Sequence, residues 1–464
     1  MNTNAKSQFL NLVLAALFVA TALRLTLFVM RFNYESLQMD FSAFYTAGEA
    51  INRGLSPYHN NILSRPPVWD GVDVRQHSRF LYPPLVANAF QIFALLPYLP
   101  AKIIWTLLTL ACVVIVLYFS ARVFPLGSGW QVLLVGILAG LYHPLLTHLE
   151  RGQIDVFTLV LIIAAIYLMQ QPSGRMKIMA GGAMALATLL KLQNLYLLPF
   201  LFITRQWKVV KGYMLGAAVV LIVSVLFPGG KILLVDYARN EFPRISRFGQ
   251  GGTASMMIDV QATKAVRADL RKGVTVKGGR AYRVSYFGFV SNATIVRPLQ
   301  YWLGRVGFVA SPSMISLGLF SASILFVWLW YRRIATPALS ADKRTFVFWQ
   351  MILAIIVLTG PLGWAMNAVW FLPGIVIVVS EYSSLDSRKR ISSLFFLLIG
   401  LIIIGAPEGV GFPLLVSKDY ELVVFNRYIT GEIVYIMGCA LYLGDGSNSD
   451  FSPPNQLDPR GARG

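Results

Sequence analysis

Apolar residues in this chain come in runs of roughly 13–25 residues separated by short polar joints, the spacing of helices that meet a lipid bilayer rather than of alternating strands. The runs fall near residues 9–30, 84–96, 101–121, 131–149, 154–169, 178–203, 209–228, 313–331, 346–358, 368–380, 391–405 and 429–443. They predict an all-α, polytopic transmembrane protein with about 11–13 membrane helices, some of them re-entrant or half helices. The first run, Phe9 to Met30, follows Lys6 and shows no small-residue cleavage site, so it reads as a retained anchor. Arg24 interrupts it, either reaching along the helix to the interface or meeting an anionic phosphate.

Two runs are interrupted in ways that change the threading. Residues 178–203 carry the polar stretch Lys191-Leu192-Gln193-Asn194 at their middle and Pro199 after it. Basic connectors flank this run on both sides, Arg175-Met176-Lys177 before and Arg205-Gln206-Trp207-Lys208 after. Short basic loops stay on the cytoplasmic side, so the run must enter the membrane and return, with the reversal at Lys191–Asn194. The run 84–96 is short, bracketed by Pro83-Pro84 and by Pro97 and Pro100, and reads as re-entrant or juxtamembrane. Two more basic connectors, Arg332-Arg333 with Lys343-Arg344 and Arg388-Lys389-Arg390, are placed inside by the same rule. The resulting map has the N-terminus inside and segments 31–82, 150–153, 229–312, 359–367 and 406–428 outside. One transmembrane domain occupies 1–443, and 444–464, rich in Gly, Ser, Asn and Pro, is expected to be a disordered cytoplasmic tail.

Composition agrees with the run pattern and removes other classes. Of 464 residues, 56% are hydrophobic and 13% charged, which excludes an ordinary soluble domain. The net charge of +19 would suggest nucleic acid in a soluble protein; here Lys and Arg sit mainly in the joints, where membrane lipids and topology account for them. Cys112 and Cys439 lie inside apolar runs, and the four histidines form no metal-binding pattern, so neither a disulfide framework nor a metal site is indicated.

Candidate chemistry gathers in the segments mapped outside. Asp40 follows the first run almost immediately and heads Met39-Asp40-Phe41-Ser42-Ala43-Phe44-Tyr45, an acid at a membrane surface shielded by aromatics. It is the candidate general base; capping a short interfacial helix is the structural alternative. Asp70 and Asp73 sit in a polar stretch and read as solvated, while Gly54-Leu55-Ser56-Pro57-Tyr58 reads as a turn that brings Tyr58 back toward the bilayer. Glu150-Arg151-Gly152-Gln153-Ile154-Asp155 joins two runs with almost no slack. Its polar groups either pair with one another, as Glu150–Arg151 or Arg151–Asp155, or line a pocket through Arg151 and Gln153. Lys191 is a natural point charge for a phosphate, or else the partner of a buried carboxylate. Segment 229–312 is strongly basic, with Arg239, Arg244, Arg247, Arg267, Arg271, Lys272, Lys277, Arg280 and Arg283, and suits either an anionic surface or plain solvation. Asn292-Ala293-Thr294 matches a glycosylation sequon.

Asp40 through Tyr45, the Gly54–Tyr58 turn, Tyr82-Pro83-Pro84, Gly152-Gln153 and Lys191 follow one another in an order and spacing that resemble glycosyltransferase family 87, membrane enzymes of the GT-C superfamily. The resemblance covers roughly residues 35–210. It implies a GT-C-like fold of about a dozen helices and an inverting transfer of a hexose such as mannose from a polyprenyl-phosphate sugar donor to a lipid or glycan acceptor. It also implies no bound nucleotide or obligatory metal, and a location in the cell inner (cytoplasmic) membrane with the site facing the periplasm or exterior. By position Asp40 is the catalytic base; Lys191, Arg151 and Gln153 face the donor phosphate; and Tyr45, Tyr58, Tyr82, Gln193, Asn194, Trp364 and Asn367 line the pocket. Where relatives carry a Ser-Trp-Asp-His-His motif, this chain has Gly363-Trp364-Ala365-Met366-Asn367, which keeps the tryptophan and loses the acid and both histidines. Asn367 still hydrogen-bonds but does not titrate. Two alternatives stand beside this reading: a lipid-linked-sugar transporter or flippase, which would also show broken helices but usually internal repeats, and a noncatalytic envelope-assembly subunit.

Overall fold

The computed structural model describes residues 3–34, 39–58, 80–227, 229–243, 310–334, 342–360, 363–382, 388–407 and 427–444, with isolated residues between 294 and 308 and two short strands. Asp70, Asp73, the basic residues of the long loop from Arg244 onward, Asn292 of the sequon and the tail beyond Gly444 lie outside the described residues.

The described chain is almost wholly helical. In order come α1 (Thr3–Tyr34), α2 (Met39–Asn52), α3 (Pro84–Phe93), α4 (Tyr98–Val123), α5 (Gly129–Leu141), α6 (His143–Arg151), α7 (Asp155–Gln170) and α8 (Gly174–Leu190). A 3-10 turn over Leu192–Leu197 leads to α9 (Leu198–Ile203), α10 (Trp207–Leu226) and α11 (Gly230–Asp236). The later helices are α12 (Pro312–Ile334), α13 (Asp342–Thr359), α14 (Leu372–Glu381) entered by a 3-10 segment Ala365–Phe371, α15 (Arg388–Gly405) and α16 (Arg427–Gly444). Leu415–Val416 and Val423–Phe425 pair as a short antiparallel ribbon. Four helices, Gln8–Arg31, Tyr98–Val123, Trp207–Leu226 and Ser313–Trp330, are each long and apolar enough to cross a membrane, and a fifth span results if α5 and α6, bent by 55°, count as one. The protein is therefore a multi-pass, all-α membrane protein. The remaining apolar runs appear as shorter or broken helices, because prolines and polar residues stop them before a full crossing.

The run 178–203 folds as its polar break demands. α8 stops at Leu190, Lys191 is extended, and Asn194 turns its amide back to donate to the Ala187 carbonyl at 2.8 Å, which also accepts from the Lys191 backbone N–H. α8 and α10 then run side by side in the same direction: Ile178 lies against Gly212, Gly182 against Gly216, and Gly174 against the Lys208 ammonium. The stretch between them must return the chain to its starting level. A Cβ on Gly212 would strike the Ile178 carbonyl, and one on Gly181 the Val209 carbonyl, so glycine is what lets these backbones touch.

The basic connectors share one end of the bundle. There Glu381, at the end of α14, is buried and bridges Lys343 of α13 at 2.7 Å and Arg390 of α15 at 2.8 Å. Gln170 at the end of α7 donates to the Asp342 carbonyl, Arg344 to the Leu443 carbonyl, and Ser380 to the Pro125 carbonyl. α7 runs from this end to the other, roughly 24 Å away at 1.5 Å per residue. Its first residue is Asp155.

Candidate active site

The far end of the bundle collects polar side chains from helix termini widely separated in sequence. α1 delivers the chain to α2, whose first turn carries Asp40; the residue is 9% exposed and is followed by Phe41 and Phe44, both fully buried. These rings pack with Phe90, Tyr98 and Trp105, and Trp105 stacks on Phe157 of α7 at 4.3 Å, so the floor under Asp40 is a solid aromatic cluster.

Gly152 sets the next part. α6 ends because Gly152 takes φ of 68°, a left-handed position that costs glycine nothing and other residues strain. Its carbonyl accepts from the Trp105 indole at 2.9 Å. The chain therefore turns sharply between Arg151 and Asp155, which presents three side chains to the same end. Gln153 Nε2 donates to Asp40 Oδ2 at 2.7 Å, and Arg151 Nη1 stands 3.7 Å from that oxygen. The other end of the Gln153 amide accepts from the Tyr82 hydroxyl at 2.9 Å. Burial first, then the charges of Asp40 and Asp155, hold the Tyr82 phenol well above the ordinary tyrosine range, so it remains a hydroxyl and a donor.

Asp155 makes a second centre. It is fully buried, and one carboxylate oxygen accepts from Lys191 Nζ and from Asn367 Nδ2, both at 2.6 Å. Asn367 in turn accepts from the Trp364 backbone N–H at 2.6 Å, so it ties the 3-10 segment Ala365–Phe371 to the start of α7. The second Asp155 oxygen, Nδ1 of the buried His148, Oδ1 of Asn194 and both amide atoms of Gln193 are enclosed without a hydrogen-bond partner. Gly360 leaves the space beside the Gln193 amide, where a Cβ would come within 3.2 Å.

Several sequence expectations look different in three dimensions. The Glu150-to-Asp155 joint does not close on itself through Arg151 and Asp155: Arg151 faces Asp40, and Asp155 takes Lys191. Lys191 is thus held by a carboxylate, with its side chain 15% exposed. Tyr45 donates to the Leu96 carbonyl at 2.8 Å and belongs to the aromatic floor. Tyr58 donates to the Tyr82 carbonyl at 3.0 Å and so braces the segment carrying Tyr82 rather than projecting from it. Asn194 caps α8, and the Asn367 amide is engaged at both ends inside the protein. Asp155 itself was not singled out in the sequence except as a possible ion-pair partner, because an acid at a helix start is an ordinary capping feature; its signal was the shortness of the polar joint before an apolar helix.

Residues 80–287 match the model of glycosyltransferase family 87. Over that stretch, somewhat less than half of the chain, the sequence is similar to the family 87 glycosyltransferases. A comparison with curated proteins gave no match. The matched stretch contains Tyr82, Arg151, Gln153, Asp155, Lys191, Gln193 and Asn194. Asp40, Tyr45 and Tyr58 precede it, and Trp364 and Asn367 follow it. The fold brings both outlying pieces onto the matched stretch, Asp40 through Gln153 and Asn367 through Asp155.

Proposed function

We propose that this transferase moves a hexose, mannose or one like it, from a polyprenyl-phosphate donor to a lipid or envelope glycan acceptor with inversion at the anomeric carbon. Asp40 takes the proton of the acceptor hydroxyl as that oxygen bonds to the anomeric carbon, and the carbon–oxygen bond to the phosphate breaks on the opposite side. Polyprenyl phosphate leaves carrying the developing charge. Arg151 and Lys191 supply the cations that meet it; an ammonium has three N–H donors, and Asp155 takes one of those of Lys191. The observation that carries this reading is the placement of Asp40 beside Arg151, at the surface end of an aromatic cluster and within reach of the Asp155–Lys191 pair's end of the bundle.

The side of the membrane follows from charge. The basic connectors converge on the end around Glu381, opposite the site, and short basic loops remain cytoplasmic. The site then faces the exterior or periplasm of the inner membrane, where a lipid-linked donor is at hand. Transport is the weaker reading, since the family match is to enzymes of sugar transfer.

The test is transfer of radiolabelled sugar from synthetic polyprenyl-phosphate-mannose to host lipid extract, with membranes holding wild type or Asp40→Asn. Transfer by wild type that vanishes in a well-folded variant supports Asp40 as base. Transfer that persists removes Asp40 from that role, and no transfer by either, repeated with other polyprenyl-phosphate hexoses, overturns the donor assignment.

A further inference from the structure

An ionised carboxylate accepts hydrogen bonds and donates none, so the amide of Gln153 must turn Nε2, not Oε1, toward Asp40. The two ends of a carboxamide are nearly the same shape, and a flipped amide would set oxygen against oxygen. What favours the correct sense is a donor on the far side. Tyr82 is that donor, at 2.9 Å from Oε1. Tyr82 is itself fixed: its carbonyl accepts from Tyr58, and its ring packs against Phe44 at 4.8 Å and Phe80 at 5.9 Å. The residue before Gln153 is fixed as well, by the Trp105 indole on the Gly152 carbonyl.

We propose that Tyr82 and Gln153 are positioning residues that hold the Asp40 carboxylate in one orientation, the Tyr82 hydroxyl locking the sense of the Gln153 amide and the amide aiming Asp40. This moves Gln153 from the donor phosphate, and Tyr82 from the pocket wall, to the support of the base, and it rests on the reading of Asp40 as that base. The relay runs from Tyr58 through Tyr82 and Gln153 to Asp40. Arg151, 3.7 Å from the same Asp40 oxygen, is the charged neighbour of this relay.

The experiment uses the full-length protein with Tyr82→Phe, Gln153→Leu and the double variant. Tyr82→Phe removes one oxygen and keeps the ring in the aromatic cluster, so its fold is preserved. Its kcat falls about tenfold, the worth of one hydrogen bond around a charged group, while KM for the donor changes little. The acid limb of its pH–rate profile moves to higher pH, because a carboxylate with a poorer donor holds its proton more tightly. Gln153→Leu shows the same signs more strongly, and adding Tyr82→Phe to it brings no further loss, since the hydroxyl acts through the amide. Independent, additive losses, or a KM effect with an unmoved acid limb, overturn the proposal.

A second readout needs no turnover: the rate at which a water-soluble carbodiimide labels Asp40, followed by mass spectrometry against pH. A labelling profile displaced to higher pH in Tyr82→Phe supports the relay, and an identical profile overturns it. Should Asp40→Asn keep wild-type transfer, the base reading fails by itself, and the labelling still decides whether Tyr82 and Gln153 hold this carboxylate.

Discussion

Asp40 and Asp155 lie at the same end of the bundle, yet their surroundings differ in kind. Asp155 is sealed from solvent and gives one oxygen to an ammonium and an amide, both at 2.6 Å. Asp40 accepts from a neutral amide at 2.7 Å, has its cation at 3.7 Å, and keeps 13% of its side chain open. A buried carboxylate in close contact with a cation has already spent its charge on the fold, and protonating it would leave Lys191 without its counter-charge. The same residue type is thus sealed into an ion pair in one place and left partly open beside an amide and a guanidinium in the other.

That contrast is sharpest under paired substitution. Asp40→Asn should lower sugar transfer by about 10²–10⁴-fold, the usual worth of a general base, with little change in thermal unfolding. Asp155→Ala should do the reverse first: it strands the Lys191 ammonium and the Asn367 amide, and stability should fall by about 3–5 kcal/mol, read as a lower unfolding midpoint and poor yield in detergent. Adding Lys191→Met to Asp155→Ala should recover part of that loss, because the stranded charge is gone. If Asp155→Ala folds as well as wild type, or Asp40→Asn unfolds, the contrast is wrong.

Smaller effects test whether the contrast belongs to the site end alone. Glu381→Gln, at the opposite end, breaks the bridges to Lys343 and Arg390, whose side chains are 40% and 31% exposed. Stability should drop by about 1–3 kcal/mol with transfer per folded molecule unchanged. Arg53→Ala removes a helix pair with Glu49 at the surface of α2, and should cost about 0.3–0.5 kcal/mol and leave transfer untouched. A large loss of activity from Glu381→Gln would mean that the two ends are mechanically coupled.

Much of this arrangement is local and was legible along the chain. The apolar runs, the polar break at Lys191–Asn194 and the basic joints at 175–177 and 205–208 required a hairpin, and α8 and α10 do run parallel with the return stretch between them. The shielding of Asp40 was legible too, because the aromatics that bury it follow within a few residues. Tyr45, Tyr58, Asn194 and Asn367 were less transparent. A tyrosine or an amide near a candidate site has the same appearance in sequence whether it faces a ligand or satisfies a backbone carbonyl, and here their mapped bonds lie within the protein.

Hydrophobic periodicity, charge placement and chain-breaking residues therefore determined by themselves that this is a polytopic helical membrane protein with a broken run at Lys191–Asn194. These are one-dimensional properties, set by how far each stretch of chain can cross a bilayer. Partner choice was decided only by the tertiary structure. Asp40 meets Gln153 across 113 residues, and Asp155 meets Lys191 across 36 and Asn367 across 212. Hydrogen bonds and ion pairs act over a few ångströms, so which groups each carboxylate meets depends on how the helix ends converge.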